Sequence, residues 1–236
     1  MRVLITRPRE DAEPFARALT AIGHEPVIEP LLEIVYPAGP ALDLIGVQAL
    51  LFTSANGARA AAQRTRERGI IAVAVGPATA KAARDAGFTN VSESSGEGVD
   101  ALAAFVRENL RPANGALIHP AGSVTAGDLG GVLARDGFQV RREVIYEARA
   151  VDHLSGAAVA ELSAGLIDTV TFFSPRTAAL LVELSEEENL EGALARVRAI
   201  CLSQAVGAAL GTTRFASVKV AEKPSQDAML AAIGAA

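Results

Sequence analysis

The feature that most constrains this chain is an internal duplication in which two kinds of unit each occur twice. The first kind, a short apolar strand, a helix and a second strand, spans residues 2–28 and recurs at 115–140. The second kind contains three short apolar strands with intervening helices, and it begins near Ala49 and again near Thr169. Strands that alternate with helices indicate βαβ units, and their repetition in the same order predicts an α/β protein built on parallel sheets.

The order of the units along the chain leaves two divisions into domains open. Contiguous halves would give domains of about 1–110 and 111–236. A nested arrangement would place residues 40–145 in one domain and residues 1–36 with 148–236 in the other, with linkers near 36–40 and 145–149. Two β-rich stretches, 33–37 and 143–147, favour the nested arrangement because they could pair as an antiparallel ladder. Composition alone does not choose between the two.

Composition does narrow the class of protein and of partner. The chain has 236 residues, of which 50% are hydrophobic and only 4% aromatic, as expected where Ala-rich helices cover buried parallel strands. The formal net charge is −5 and there is no polybasic run, so we expect neither nucleic acid nor a membrane surface as a partner. No apolar stretch reaches the ~18 residues of a membrane span. The single cysteine, Cys201, lies in an apolar run, which predicts a buried thiol and a cytoplasmic protein.

The loops that follow the predicted strands share one chemistry. They are small, hydroxylated or glycine-containing, and each lies at a helix start, where the first backbone N–H groups have no partner within the helix. Capping alone accounts for any single loop of this kind. Their concentration at strand ends favours an anionic ligand, because ligands of open α/β sheets bind beyond the carboxyl ends of the strands. The loops are Thr6-Arg7-Pro8, Ser54-Ala55-Asn56-Gly57, Gly76-Pro77-Ala78-Thr79, Gly122-Ser123, Ser174-Pro175-Arg176-Thr177 and Ser203-Gln204.

Four longer side chains are candidates for a chemical role. Arg7 and Arg176 follow strands directly, and a guanidinium there could bind a carboxylate through two hydrogen bonds; a surface ion pair is the alternative. Tyr36 and Tyr146 are the only tyrosines of the chain. A phenol could donate a proton to a reacting group, and packing in a half-buried strand is the alternative.

Several common kinds of site are missing from the sequence. The three histidines, His24, His119 and His153, are scattered and show no metal-ligand spacing. The chain has neither a glycine-rich dinucleotide fingerprint nor a P-loop. We therefore expect no metal and no bound nucleotide cofactor.

Six motifs, taken together and in order, resemble those of the uroporphyrinogen-III synthase family, and the resemblance covers essentially the whole chain. It implies the nested arrangement: two flavodoxin-like, doubly wound parallel-sheet domains joined by a two-stranded antiparallel linker, with the active site in an inter-domain cleft. The motifs are Leu4-Ile5-Thr6-Arg7-Pro8, Phe52-Thr53-Ser54-Ala55-Asn56-Gly57, Val75-Gly76-Pro77-Ala78-Thr79-Ala80, Val144-Ile145-Tyr146, Thr171-Phe172-Phe173-Ser174-Pro175-Arg176 and Val220-Ala221-Glu222-Lys223-Pro224-Ser225.

The resemblance also implies a reaction, in which the linear tetrapyrrole hydroxymethylbilane is dehydrated and cyclised to uroporphyrinogen III with inversion of ring D. Members of the family need neither a metal nor an organic cofactor. The substrate carries eight carboxylates, which suits a site lined by helix N-termini and small polar loops. We expect a monomer that receives its substrate by transient handover from the preceding enzyme of the pathway.

The motifs assign roles to individual residues. Tyr146 matches a family tyrosine thought to assist departure of the hydroxyl, so we expect it to be the general acid. Two departures limit the transfer. His119-Pro120-Ala121 replaces the Arg-Gly or Cys-Gly of many relatives, and Ser203-Gln204 replaces a Gly-Pro-Thr-Thr run. The expected substrate-binding residues are Thr6, Arg7, Pro8, Ser54, Asn56, Gly76, Thr79, Gly122, Ser123, Ser174, Arg176 and Ser203.

Three other functions fit the same sequence. A non-catalytic binding protein for an acidic small molecule would bind its ligand without turnover. A flavodoxin-like nucleotide-binding module would co-purify with a flavin or a nucleotide. A purely structural pair of domains would be indifferent to the loss of Arg7 or Tyr146.

Overall fold

The computed structural model describes residues 1–96, 98–124 and 127–234. The chain forms two compact units, and each is described by itself. Unit 1 comprises Met1–Glu33 and Arg149–Ala236, and unit 2 comprises Ile34–Ala148. The polypeptide leaves unit 1 once and returns to it once, so unit 1 is discontinuous in sequence.

Eleven strands and ten α-helices are described. The longest helices, at 13 residues, are too short to cross a bilayer, and no described helix has the length and apolar character for it. In chain order the elements are β1 (Arg2–Ile5), α1 (Arg9–Ala21), β2 (Glu25–Ile28), β3 (Leu32–Val35), β4 (Val47–Phe52), α2 (Ala55–Arg64), β5 (Ile71–Val75), α3 (Gly76–Asp85), β6 (Val91–Ser94), α4 (Gly98–Asn109), β7 (Ala116–Gly122), α5 (Leu129–Ala134), β8 (Val140–Ala150), α6 (Gly156–Ser163), β9 (Thr169–Phe172), α7 (Pro175–Glu187), α8 (Glu191–Leu194), β10 (Arg198–Cys201), α9 (Gln204–Ala208), β11 (Ser217–Val220) and α10 (Gln226–Ile233).

Local sequence explains where the helices begin and end. Serine or aspartate side chains accept a backbone N–H from the first turn of six described helices, which satisfies a donor that has no partner within the helix. Glycine ends α1 and α5, and Gly23 and Gly137 have φ values of 87° and 84°, as predicted for caps that need a left-handed backbone. The capping side chains are Ser54, Asp128, Ser155, Ser174, Ser203 and Ser225.

Unit 1 contains a five-stranded parallel sheet with the order β11-β10-β9-β1-β2. Successive residues of a strand face opposite sides of a sheet. Val3 and Ile5 of β1 accordingly pack with Phe15 of α1, while Leu4 packs in the cluster that contains Leu181 of α7. Both faces are thus covered by helices, which is why β1 is apolar from Val3 to Ile5.

Unit 2 contains a six-stranded sheet with the order β3-β8-β7-β4-β5-β6, and the strands from β8 to β6 are parallel. Leu50 of β4 packs with Ala61 of α2 on one face, and Leu51 packs with Leu102 of α4 on the other. The two β-rich stretches expected to pair do so, because β3 and β8 are neighbours at one side of this sheet.

The two sheets have the same spatial order of repeated units. The strands of unit 1 can be numbered 1 to 5 as β1, β2, β9, β10 and β11, and those of unit 2 as β7, β8, β4, β5 and β6. With this numbering both sheets have the spatial order 2-1-3-4-5. This is the flavodoxin-like, doubly wound arrangement, so the predicted α/β fold class is confirmed. Strand order reverses between β1 and β9 in unit 1, and between β7 and β4 in unit 2. These two switch points are the expected ligand-binding positions of such sheets.

Candidate functional site

The structure gathers the predicted site residues at two sheet edges, one in each unit. Because the strands of each sheet are parallel, the loops after their carboxyl ends lie at a single edge. In unit 2 the residues after β4, β5 and β7 are Ser54, Asn56, Gly76, Thr79, Gly122 and Ser123. In unit 1 the residues after β1, β9 and β10 are Thr6, Arg7, Pro8, Ser174, Arg176 and Ser203.

Tyr146 of β8 lies at the switch point of unit 2. Its Oη is 2.9 Å from Ser54 Oγ, so the two hydroxyls share a hydrogen bond. Its ring lies close against Gly122, where an added Cβ would lie 2.8 Å from Tyr146 Cζ and 3.0 Å from Oη. Tyr146, Ser54 and Gly122 are therefore brought together, although 92 residues separate Ser54 from Tyr146.

Ser54 has a second bond that fixes its hydroxyl. The Gly57 N–H donates to Ser54 Oγ at 3.0 Å, which caps α2. Gly57 is held against β7, since a Cβ at this position would lie 2.6 Å from the Pro120 carbonyl oxygen. The first turn of α2 thus contacts β7 through backbone, and this contact sets the position of Ser54.

Of the other predicted residues of unit 2, Asn56 and Thr79 are less available to a ligand than Gly76. The Asn56 Oδ1 accepts a hydrogen bond from Arg59 Nη1 at 2.8 Å. The Thr79 side chain is 7% exposed in the first turn of α3. Gly76 has φ +68° and faces open space, so the backbone at the start of α3 is accessible.

A cavity of about 470 Å³ opens beside the end of β7 and the first residues of β8. Arg142 lies at its wall and donates through Nη2 to the carbonyl oxygens of Gly122 at 2.6 Å and Ser123 at 3.3 Å. Within the described ranges, no cluster of three or more His, Cys, Asp or Glu side chains could hold a metal ion. The lining residues are His119, Ser123, Gly127, Asp128, Leu129, Gly130, Val140 and Arg142.

His119 is a buried residue in the wall of this cavity. The residue is 5% exposed, and its Nε2 lies 2.9 Å from Thr53 Oγ1. Burial, together with the positive charge of Arg142, lowers the pKa of His119 from 6.5 to about 4. Sequence reasoning did not assign a role to His119 or Arg142. Their positions were the available signal. His119 lies three residues before Gly122 on β7, and Arg142 lies four residues before Tyr146 on β8.

The switch point of unit 1 is built around Thr6 and Arg7. Thr6 is fully buried, and its Oγ1 donates to the Thr171 carbonyl at 2.8 Å, which ties β1 to β9. The Arg7 guanidinium lies 4.1 Å from the centroid of the Phe173 ring and 3.8 Å from the Asp11 carboxylate. Thr6 therefore supports the sheet, whereas Arg7 places a guanidinium at its edge that is paired with Asp11 and lies over Phe173.

The remaining predicted residues of unit 1 lie at helix starts. The Pro8 carbonyl accepts the N–H groups of Asp11 and Ala12 and begins α1. Ser174 Oγ accepts the Thr177 N–H at 3.1 Å. Ser203 Oγ accepts the Val206 N–H at 3.4 Å. Arg176 is exposed in the first turn of α7.

The family model described as Uroporphyrinogen-III synthase HemD matches residues 13–231, which is most of the chain and includes the expected site residues from Ser54 to Ser203, whereas Thr6, Arg7 and Pro8 precede the match. The chain belongs to the uroporphyrinogen-III synthase family. Members of this family are cyclising lyases of heme biosynthesis, and the resemblance read from the six motifs is confirmed.

Solved structures of uroporphyrinogen-III synthases share the fold. The enzyme from Helicobacter pylori is 18% identical, with a TM-score of 0.64, and the match covers 98% of this chain and 97% of that one. A variant of the Thermus thermophilus enzyme is 17% identical, with a TM-score of 0.53, over 99% of this chain and 97% of that one. At such identities the likeness establishes the two-domain α/β fold.

A curated relative from Methanocaldococcus jannaschii, named provisionally as a uroporphyrinogen-III synthase, is closer in sequence over a short stretch. It is 46% identical over 57 residues. That match spans 24% of this chain and 24% of the relative's length. It therefore adds to the family assignment without extending to the whole site.

Proposed function

We propose that this chain is a uroporphyrinogen-III synthase in its own right, converting hydroxymethylbilane into uroporphyrinogen III. The observation that carries the proposal is the placement of Tyr146 at the switch point of unit 2, with its hydroxyl 2.9 Å from Ser54 Oγ and its ring against Gly122. A half-buried phenol at a ligand-binding edge is a suitable general acid, and the family match supplies the reaction that needs one.

In the proposed first step, the Tyr146 O–H bond breaks and its proton passes to the terminal hydroxyl of the substrate. The carbon–oxygen bond then breaks, water leaves, and an azafulvene cation remains. The electrons that stabilise this cation come from the pyrrole nitrogen of the substrate. The protein therefore needs to supply one proton and a fixed geometry, and the proposal requires neither a metal nor an organic cofactor.

In the later steps, the cationic carbon attacks the substituted position of ring D and forms a spiro intermediate. Fragmentation and renewed closure at the free α position of ring D give the inverted isomer, and the proton lost from that position restores the phenol. Direct closure would instead give the symmetric isomer I. We infer that the main task of the protein is to hold ring D for spiro attack.

Binding of the eight carboxylates of the substrate is assigned to the two sheet edges. The guanidinium groups of Arg7 and Arg176 offer charged donors, and the helix starts at Gly76, Ser174 and Ser203 offer backbone N–H groups. The overall charge of −5 does not oppose this assignment, because binding depends on the local donors. We further propose a cytoplasmic monomer that takes its substrate by transient handover from the preceding enzyme.

The isomer composition of the product tests this function. The protein is incubated with hydroxymethylbilane generated enzymatically in the same vessel, and the products are oxidised and separated by chromatography. We expect predominantly isomer III, with isomer I alone in a heat-denatured control. Isomer I alone with the native protein would refute the proposal, and ligand binding without turnover would identify a binding protein for acidic small molecules.

A further inference from the structure

We propose that Ser54 is a positioning residue for Tyr146: its O–H donates to Tyr146 Oη, which leaves the proton of the phenol for the substrate. This inference rests on the proposed function, and it gives Ser54 a role through Tyr146 in place of the direct contact with substrate that the sequence predicted. Three observations within unit 2 carry it.

The first observation is the hydrogen-bonding capacity of Ser54 Oγ. A serine hydroxyl has one proton and two acceptor positions. One acceptor position is filled by the Gly57 N–H at 3.0 Å, and Tyr146 Oη lies at 2.9 Å. If Tyr146 were the donor, its proton would be held by Ser54 and the proton of Ser54 would need another acceptor. Donation by Ser54 satisfies Ser54 and leaves the Tyr146 O–H directed to a ligand.

The second observation is that Ser54 is itself held in place. It follows the buried carboxyl-terminal part of β4, residues 49–52, with an extended backbone at φ −153° and ψ 154°, and it caps α2. The first turn of α2 is fixed against β7, because Gly57 leaves no room for a Cβ next to the Pro120 carbonyl. Because β4 and α2 both fix the position of Ser54, its hydroxyl can hold Tyr146 Oη in one position.

The third observation concerns the ring of Tyr146. Gly122 lies so close that an added Cβ would be 2.8–3.0 Å from three atoms of the phenol group. The ring is thus restrained by Gly122 beside Cζ and Cε2 and by Ser54 at its oxygen. Orientation of the acid before the substrate binds reduces the entropy that the reaction step must lose.

The same hydrogen bond serves the proton transfer. When the Tyr146 O–H breaks and its proton joins the leaving hydroxyl as water, the phenol oxygen becomes negative. It then accepts the Ser54 O–H in a charge-assisted hydrogen bond, which is stronger than the neutral one. The proton released at the end from ring D returns to Tyr146, so Ser54 itself loses no proton in the cycle.

Steady-state kinetics of four variants test this role. Ser54→Ala is expected to lower kcat for isomer III by about 10-fold, with KM within about 2-fold, because one hydrogen bond is lost. Ser54→Thr keeps the hydroxyl and should restore most of the activity. Ser54→Asp keeps the helix cap but offers only an acceptor, so kcat should stay low. Ser225→Ala removes the equivalent cap bond of α10, where Ala228 N–H donates to Ser225 Oγ at 3.2 Å, and should leave kcat unchanged.

A double-mutant cycle separates positioning of Tyr146 from direct substrate contact. In the Tyr146→Phe background, Ser54→Ala should cost less than about 2-fold, because no phenol oxygen remains to hold. An equal loss in both backgrounds, or a raised KM with unchanged kcat, would overturn the proposal. If the wild-type protein produced no isomer III, the proposed function would fail before this comparison began, so the two failures are distinguishable.

A spectroscopic measurement tests the hydrogen bond without any turnover. The chain has two tyrosines and no tryptophan, so Tyr36→Phe leaves Tyr146 as the source of the tyrosine band in near-ultraviolet circular dichroism. Adding Ser54→Ala should weaken this band, whereas adding Ser225→Ala should not. An unchanged band with Ser54→Ala would show that Ser54 does not hold the ring, and would overturn the proposal independently of activity.

Discussion

Units 1 and 2 share a strand order but carry different chemistry at their switch points. In unit 1 the Thr6 hydroxyl is bonded to the neighbouring strand, and the Arg7 guanidinium lies over Phe173 and 3.8 Å from the Asp11 carboxylate, so the edge carries an ion-paired guanidinium. In unit 2 the equivalent edge holds Tyr146 between Ser54 and Gly122, so it presents a phenol. We infer a division of labour, in which unit 1 supplies the charged donors to substrate carboxylates and unit 2 supplies the proton.

The helix starts show how one duplicated pattern diverged. Ser54 and Ser174 cap α2 and α7 with the same hydrogen bond, to the N–H three residues ahead. At that third position unit 1 has Thr177, whose buried side chain donates to the Ser174 carbonyl at 3.0 Å. Unit 2 has Gly57, because the Pro120 carbonyl of β7 occupies the space. The cap is common to both units, and the neighbouring strand decides what else can be placed beside it.

The strand registers show a second place at which the two units carry different residues at equivalent positions. Leu50 pairs with Ile118 in unit 2 and Val170 pairs with Leu4 in unit 1, so His119 corresponds to Ile5. Leu50 and Val170 are likewise equivalent, so Thr53 and Phe173, each three residues further along the chain, correspond to one another. Unit 1 therefore has an apolar pair where unit 2 has a hydrogen-bonded polar pair at 2.9 Å.

The largest expected effect follows from this polar pair and concerns pH. The folded-state pKa of His119 is lowered to about 4 from 6.5, so the native state resists protonation in a range where the unfolded chain accepts it. The contribution of the neutral His119 to stability is fully present above the unfolded-state pKa of 6.5 and is lost as the pH falls to the folded-state pKa of about 4. The free energy of unfolding should decrease by about 3 kcal/mol over this range. Urea unfolding at a series of pH values measures it.

His119→Gln is the matched control, since glutamine retains a hydrogen-bonding group and does not titrate. The difference in unfolding free energy between wild type and this variant should vary with pH only between about 6.5 and 4. A difference that is constant over this range would contradict a neutral, buried His119.

The next effect concerns Gly57, the position at which the two helix starts differ. Gly57→Ala should destabilise the protein by about 2 kcal/mol, because its Cβ would meet the Pro120 carbonyl oxygen. Gly207→Ala in α9 is the control: its Cβ would lie 3.6 Å from Val220 Cγ2, an ordinary contact, and alanine favours the helix. Chemical denaturation should show loss for the first and none for the second. An equal change in the free energy of unfolding for the two variants would mean that the first turn of α2 is not in close contact with β7.

A smaller effect is expected at Arg7, the charged residue of unit 1. Arg7→Met should raise KM by about 10-fold and leave kcat nearly unchanged, because a donor to a substrate carboxylate is lost. Arg17→Met, at an exposed position of α1, the helix that follows Arg7, controls for the overall loss of positive charge. A fall in kcat without a change in KM would assign Arg7 to the chemical step and break the division of labour.

Much of the fold could be predicted because it depends on local patterns. Apolar runs such as the one ending at Phe52, and helix caps such as Gly23, specify strands and helix ends within a few residues of sequence. The duplication then supplied the order of elements, and the sheets confirm the α/β class. The residues alone did not decide how the four units combine, because strand pairing between β7 and β4 is not encoded in any local stretch.

The site could be predicted only in part, for the same reason. Ser54 and Ser174 were found because strand ends and helix starts are visible in sequence. The contact between Ser54 and Tyr146 and the low pKa of His119 were not, because both depend on groups brought close by sheet register: β7 pairs with β8, which places Gly122 opposite Tyr146 and His119 opposite Arg142. Contacts of this kind can be predicted only when the pairing of the strands is known.

The most direct test of the division of labour is kcat for isomer III formation by Tyr146→Phe, measured beside Tyr36→Phe. Both tyrosines pack against the same apolar cluster of unit 2, so the two variants remove one hydroxyl each from comparable surroundings. We predict that Tyr146→Phe lowers kcat by up to about 100-fold, the low end of general acid catalysis, with KM little changed. Tyr36→Phe should keep wild-type kcat. Wild-type turnover in Tyr146→Phe would contradict the assignment of proton transfer to unit 2.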